Sequence, residues 1–299
     1  MEQLWLDYFE FIPFSIYDWV LVFALAFLLL ELANDVLTGR ANGERLLETL
    51  SSCLTQVPYY LAETFIFGGA VVLFFEIHAI IPWQIPVNGM TAILVLFLAD
   101  FTYYVEHYAA HRIRLLWLAH SVHHSSGMMN TATAFRFSMF DPVMSAMFHL
   151  PLVLLGFHPI LIFAGEVLVQ AYQFWLHNEM IGKLGPAEWV LNTPSHHRVH
   201  HGSDKKYIDR NFGGILIIWD RLFQTFQKEE EIPTYGLTTP MTSKNPITVQ
   251  FHEFPGLFRD LKGSQSAGEF AGYLLRPPGW TPASAADAPA LNNPHHPNS

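Results

Sequence analysis

GMTAILVLFLADFTYYVEH, Gly89 to His107, is apolar and long enough to cross a bilayer as a helix, and it ends on a histidine. In EHYAAHR a second histidine follows four residues later, so His107 and His111 share one helical face at the end of the span. Two more runs have spanning length: Ser15 to Asp35 and Pro58 to Ile81. Pro142 to His177 is also apolar but breaks at GFHP, Gly156 to Pro159, which predicts a helical hairpin.

The composition agrees with a membrane protein. Of 299 residues, 51% are hydrophobic, 15% aromatic and only 14% charged. Cys53 is the single cysteine, which excludes an internal disulfide and any Cys-x-x-Cys site; its setting, SSCLTQ, reads as a loop. A net charge of -10 argues against a nucleic-acid partner. The N-terminus, MEQLWLDYFEFIP, lacks the basic region of a signal peptide, so the first apolar run is kept as a span.

Lysine and arginine set the orientation. Arg40 and Arg45 follow the first span, while Arg112, Arg114 and Arg136 lie between the third span and the hairpin. The other eleven follow the hairpin; the N-terminus, the loop from His78 to Asn88 and the GFHP turn have none. This bias predicts an outside N-terminus and a cytoplasmic C-terminal third, in a bacterial inner membrane or a eukaryotic endoplasmic reticulum. The expected organisation is N-terminal membrane helices over 1–88, the site-bearing domain over 89–232, a cytoplasmic extension over 233–280 and a disordered tail over 281–299. FGGILIIWDRLFQTF, Phe212 to Phe226, reads as an amphipathic run of the cytoplasmic part.

Sixteen histidines are the anomaly, and twelve fall between His107 and His201. His120, His123 and His124 in HSVHH have one-face helical spacing, and His197, His200 and His201 in HRVHH repeat it. The second copy carries its own helix signals: Thr193 to cap, Pro194 for the first position and Gly202 for the exit. His177 ends the hairpin, with Gln173 one turn earlier. All of these motifs fall on the predicted cytoplasmic side, although only Lys and Arg were used to assign it.

Neutral imidazole suits zinc, copper, iron and nickel. Nine such ligands exceed one tetrahedral zinc and match two metals with four or five nitrogens each. Buried unpartnered imidazoles would otherwise lose hydration with no return. The isolated His78, His149, His158 and His252 are expected to pack without metal, as are the tail residues His295 and His296.

HYAAH, HSVHH, QFWLH and HRVHH, within Ala99 to Phe226, resemble the fatty acid hydroxylase, or sterol desaturase, superfamily of integral-membrane di-iron oxygenases. TPSHHRVHHG followed by YIDRNFGGILIIWDRLFQTF is most similar to its alkylglycerol monooxygenase-like branch. The resemblance implies an all-α fold: a polytopic helical membrane protein with a cytoplasmic helical cap holding a histidine-rich dinuclear metal site. It implies two irons on His107, His111, His120, His123, His124, His177, His197, His200 and His201. His196 is the expected additional ligand, and Gln173 a contact one step removed from metal. It also implies O2-dependent hydroxylation or desaturation of an aliphatic C–H bond in a lipid substrate, such as an ether lipid or sterol. Electrons would come from outside the chain, from a reduced pterin or a separate donor protein.

Further polar residues are candidates for supporting the site. Asp100, seven residues before His107 on the same face, is expected to accept the distal N–H of a ligand histidine. Asn130, Asp209 and Asn211 are grouped with it as catalytic candidates; Arg136 and Glu179 lie near the motifs, and Tyr103 and Tyr104 either line the site or belong to an aromatic belt. Two rivals stay open. A membrane zinc hydrolase would need a base such as the glutamate of His-Glu-x-x-His, which is absent. A metal transporter or sensor would place ligands at mid-membrane rather than at one face.

Overall fold

Asn88 fixes where the decisive span begins. In the computed structural model, which describes residues 14–283, its side chain accepts from the Thr91 amide at 3.0 Å while the Thr91 hydroxyl accepts from the Asn88 amide at 2.9 Å. Such a reciprocal cap is worth about 1 kcal/mol. The acidic N-terminal residues 1–13 and most of the tail, 284–299, lie outside the described residues.

The described residues form helices and contain no strand beyond two isolated bridges. In chain order, α1 is Phe14–Leu37, α2 Gly43–Ile80, α3 Gly89–Arg112 and α4 Arg114–His124. The hairpin follows as α5, Asp141–Leu154, and α6, Pro159–Gln173. After it come α7, Pro194–His200, and α8, Ile218–Leu222, then α9, Pro246–Phe251, α10, Phe254–Gly263, and α11, Ala267–Leu275. Three helices are long and apolar enough to cross a membrane: Gly43–Ile80, Gly89–Arg112 and Pro159–Leu176. Large apolar side chains face outward along them, with Phe65 at 80% and Met90 at 82% exposure. In a chain this apolar, such surfaces belong against lipid.

α3 packs along α6 and α2 along α5, around Val71, Phe74, Val95, Leu152, Ile162 and Phe163. The hairpin turn requires glycine at Gly156. Its φ is +94°, and a Cβ there would sit 2.2 Å from the Trp83 carbonyl oxygen. Trp83 Nε1 in turn donates to the Leu154 carbonyl at 3.1 Å. The two internal loops without lysine or arginine therefore meet at one end of the helices. At the other end Arg40, after α1, reaches Glu179, beyond His177, at 3.8 Å. The charge partition read from the sequence thus coincides with two physical ends.

Several local expectations change. The second span does not start at Pro58: α2 begins 15 residues earlier and runs through the proline. Its first turns are polar because they pack on the site-bearing region, where Glu48 pairs with buried Arg136 at 2.6 Å. Cys53 therefore lies in a helix, half-buried, and not in a loop. Residues 212–226 form no long amphipathic helix; only Ile218–Leu222 is helical, and the preceding amides of Phe212, Gly213 and Ile215 donate to the buried carboxylates of Asp220 and Asp100 instead of to helix carbonyls. Residues 233–280 fold back onto the helices, with Gln250 donating to the carbonyls of Thr55 and Phe137.

Candidate metal centre

His107 and His111 project from the last two turns of α3. Ile113 then leaves helical geometry, and α4 returns His120, His123 and His124 toward them. α6 ends just short of His177, and α7 supplies His197 and His200, with His201 at its cap. These nine rings form two groups. His107, His111, His120, His124 and His200 make one; His123, His177, His197 and His201 make the other. Within each group one ring nitrogen per residue lies within 4.8 Å of all the others.

The tautomers reveal what the groups suit. A carbonyl only accepts, so each histidine bonded to one through Nδ1 carries its proton there. His107 Nδ1 donates to the Phe212 carbonyl at 2.9 Å, His200 Nδ1 to that of Arg210 at 2.9 Å, and His177 Nδ1 to that of Gln173 at 2.8 Å. His111 Nδ1 donates to Asp209 Oδ1 at 3.3 Å. The Nε2 atoms of these four rings are then bare lone pairs. Yet His124 Nε2 lies 2.9 Å from His200 Nε2, 3.2 Å from His111 Nε2 and 3.1 Å from His120 Nε2. In the smaller group His177 Nε2 lies 2.8 Å from His197 Nε2 and 3.1 Å from His123 Nε2. His107 Nε2 is buried with no hydrogen-bond partner. One imidazole proton cannot satisfy so many converging lone pairs, whereas a metal ion can. The donor set fits one ion per group, of the kind imidazole prefers.

Burial favours the neutral, ligating form. Burial first, and neighbouring rings second, hold His124, His197, His200 and His201 well below the ordinary imidazole value. Burial opposes ionisation of Asp209, but the His111 hydrogen bond and the charges of Arg112 and Arg210 outweigh it, leaving the carboxyl below its usual range.

The segment Asp209–Phe212 is the part that sequence reasoning did not assemble. Asp209 and Asn211 both have φ of +58°, the left-handed conformation that aspartate and asparagine tolerate best after glycine. The two bends aim the Asp209 carboxylate, the Arg210 carbonyl and the Phe212 carbonyl at three different ligand-group histidines. Two buried carboxylates then clamp this strap. Asp220 accepts from the Phe212 and Gly213 amides at 2.7 and 2.8 Å. Asp100 accepts from the Ile215 amide at 2.6 Å and from Trp219 Nε1 at 2.8 Å. A Cβ on Gly214 would meet Asp100 Oδ1 at 2.8 Å, so the glycine admits the close approach. The Asp-x-Asn spacing was the only available signal, and it marks bends without saying what they aim at.

Asp100 therefore does not touch a ligand histidine as expected; it holds the strap whose Phe212 carbonyl does. Asn130 caps the short helical turn Thr131–Phe135 and donates to Thr49 at 3.2 Å. Asn211 ties the His196 carbonyl, at 3.0 Å, to that of Gln227, at 2.8 Å. Of the four catalytic candidates, only Asp209 contacts a ring of either group. His196 stands outside both groups; its ring packs on Phe226, with centroids 5.4 Å apart. Gln173 contributes its carbonyl to His177 and its side chain to the Tyr103 hydroxyl, at 2.8 Å. Glu179 meets Arg40, and Arg136 joins α2 to Ser125 after α4. Thr193 stands at the N-cap of α7, but its hydroxyl donates to Glu188 at 3.2 Å instead of capping. Gly202 is not a left-handed exit; it makes room where a Cβ would lie 2.9 Å from Tyr207. His149 and His158 bond locally, to Ser145 and at the start of α6, as packing residues do.

Both groups open onto a cavity of about 350 Å³ between the helices, reached by His107, His120, His123 and His177. Phe67, Phe135, Met144 and Phe163 supply apolar wall. A membrane-embedded helical chain that turns two imidazole clusters toward an apolar pocket defines a class of membrane metalloprotein, and the comparisons give it a family. Residues 92–225 match the fatty acid hydroxylase family model, so the chain carries a domain of that family. It is 37% identical to human alkylglycerol monooxygenase over 267 residues, 87% of this chain and 59% of that protein. To the Danio rerio alkylglycerol monooxygenase it is 36% identical over 88% of this chain and 58% of the relative. It is also 35% identical to the ornithine lipid hydroxylase OlsE of Rhizobium tropici over 48% of this chain and 44% of that one. The chain thus spans a little over half the length of the first two relatives. No solved structure matches it significantly.

Proposed function

We propose that the chain is an O2-dependent di-iron monooxygenase that hydroxylates an aliphatic C–H bond of a membrane lipid. The observation carrying this reading is the pair of imidazole groups, their ring nitrogens converging, that open together onto one cavity with apolar walls. Iron bound there supplies O2 activation, the chemistry that side chains lack. His107, His111, His120, His124 and His200 hold one ion, and His123, His177, His197 and His201 the other. One oxygen atom enters the C–H bond and the other leaves as water. The two electrons come from outside the chain, from a reduced pterin or a separate carrier protein.

The remaining residues position these parts. Asp209, through His111, and the Arg210 and Phe212 carbonyls keep Nε2 lone pairs aimed inward. The aromatic wall excludes water and orients the chain of the substrate. The likeness to alkylglycerol monooxygenases supports an ether lipid, in which hydroxylation beside the ether oxygen yields a hemiacetal that separates into aldehyde and alcohol. The chain crosses the membrane several times with the metal centre on the cytoplasmic side, in keeping with the arginines and lysines gathered at that end.

The test is lipid mass spectrometry on cells with and without the protein under labelled oxygen, joined to metal analysis of the purified chain. One labelled atom in a lipid product and about two irons per chain are expected. An unchanged lipid profile, or product formation by the zinc-only protein, would overturn the reading.

A further inference from the structure

The cavity is acidic as well as apolar. Glu63 of α2, Glu106 of α3, Asp141 of α5 and Glu166 of α6 all line it, and no lysine or arginine does among the described residues. Ionisable groups among membrane helices are expensive and are retained for function. Glu63 is partly satisfied by the Tyr59 hydroxyl at 3.2 Å, and Glu166 by Ser145. Glu106 is different. It is 7% exposed, lines the cavity one residue before His107, and its Oε2 is buried with no hydrogen-bond partner. Asp141 Oδ1 is likewise buried and unpartnered. No three of these carboxylates draw their oxygens as close as the histidine groups do, so they do not form a third metal site. They are spread over the wall of the cavity.

We propose that this wall is a head-group subsite that takes lipids bearing an ammonium. An ammonium brings donors, no acceptor and the positive charge that the buried carboxylates lack. Among these four side chains a phosphate or carboxylate head would find only further acceptors. Because Glu106 is next to His107, a head seated there presents carbons close to itself, and the tail runs along Phe67 and Phe163. The proposal rests on the lipid-oxidising reading for what happens next, but binding does not depend on turnover.

The test uses the full chain in a neutral maltoside detergent and three amphiphiles with one hexadecyl tail, carrying a primary ammonium, a diol or a phosphate. Calorimetric binding should rank ammonium first and phosphate last, with about tenfold or more between them, ~1.4 kcal/mol. Glu106→Gln and, on a separate helix, Glu166→Gln should each cut that ratio severalfold while leaving diol binding unchanged. Phosphate or diol bound as tightly as ammonium would overturn the proposal, as would an unaltered ratio in both variants. Failure of all three amphiphiles to be oxidised would count against the hydroxylase reading and not against the subsite.

Discussion

Three of the five histidines in the larger group donate Nδ1 to one segment, Asp209–Phe212. The smaller group has one clear bond of this kind, from His177 to the Gln173 carbonyl a turn earlier in its own chain. Nδ1 of His197 has no partner, and that of His123 makes at most a loose approach to the Arg136 backbone. One half of the centre is oriented from outside by a strap that crosses it late in the sequence. The other half is oriented mainly by where its helices end. Bonds behind a ligand raise its basicity and fix its direction, so the two halves should differ in how strongly they hold metal and in what loosens them.

Removing a ring from the middle of each group is the largest perturbation. His124→Ala and His197→Ala should each abolish turnover and each lose one of two irons, read by elemental analysis. Loss of both ions from either variant would mean the groups are one unit. Loosening the strap comes next. Asp220→Ala releases the Phe212 and Gly213 amides, and metal affinity should fall ~10–100-fold at the five-nitrogen group alone. Equal weakening of both groups would break the contrast. Asp209→Asn keeps the shape but weakens one Nδ1 bond, and a loss of about tenfold is expected, again confined to that group.

His196 gives the smallest effect on metal. His196→Ala should leave two ions bound and cost stability by about 1–3 kcal/mol through lost packing on Phe226. It also supplies a pH test. Burial pushes His196 down to about 4, below its unfolded value near 6.5. A depressed pKa gives stability that is complete above the unfolded value and is lost as pH falls toward 4. Thermal melts of the metal-free protein should therefore drop between those pH values, and less so in His196→Ala. An unchanged drop would assign the acid sensitivity to the other histidines.

How much was legible follows from range. Each histidine motif lies within one helix, and a helix puts i, i+3 and i+4 on one face whatever else the chain does. The spans, the hairpin break at Gly156 and the separation of charged from uncharged loops are local in the same sense. Asp100 misled because its helical face pointed to His107, while its actual partners, Ile215 and Trp219, lie more than a hundred residues on. Asn130 and Asn211 misled because caps and bends use the same residue types as sites do. His196 has the same four-residue spacing to His200 that ligand pairs show, and only its packing on Phe226, far along the chain, sets it apart.

By itself, then, the order of residues determined that this chain is helical, lipid-embedded and rich in imidazole at one end of its helices, since periodicity and hydropathy act over a few turns. Only the folded chain decided how nine rings divide into five and four, which nitrogen of each faces inward, and that Asp209–Phe212 holds one half in place. Those outcomes depend on hydrogen bonds between residues far apart in sequence, whose directions exist only once the helices have packed.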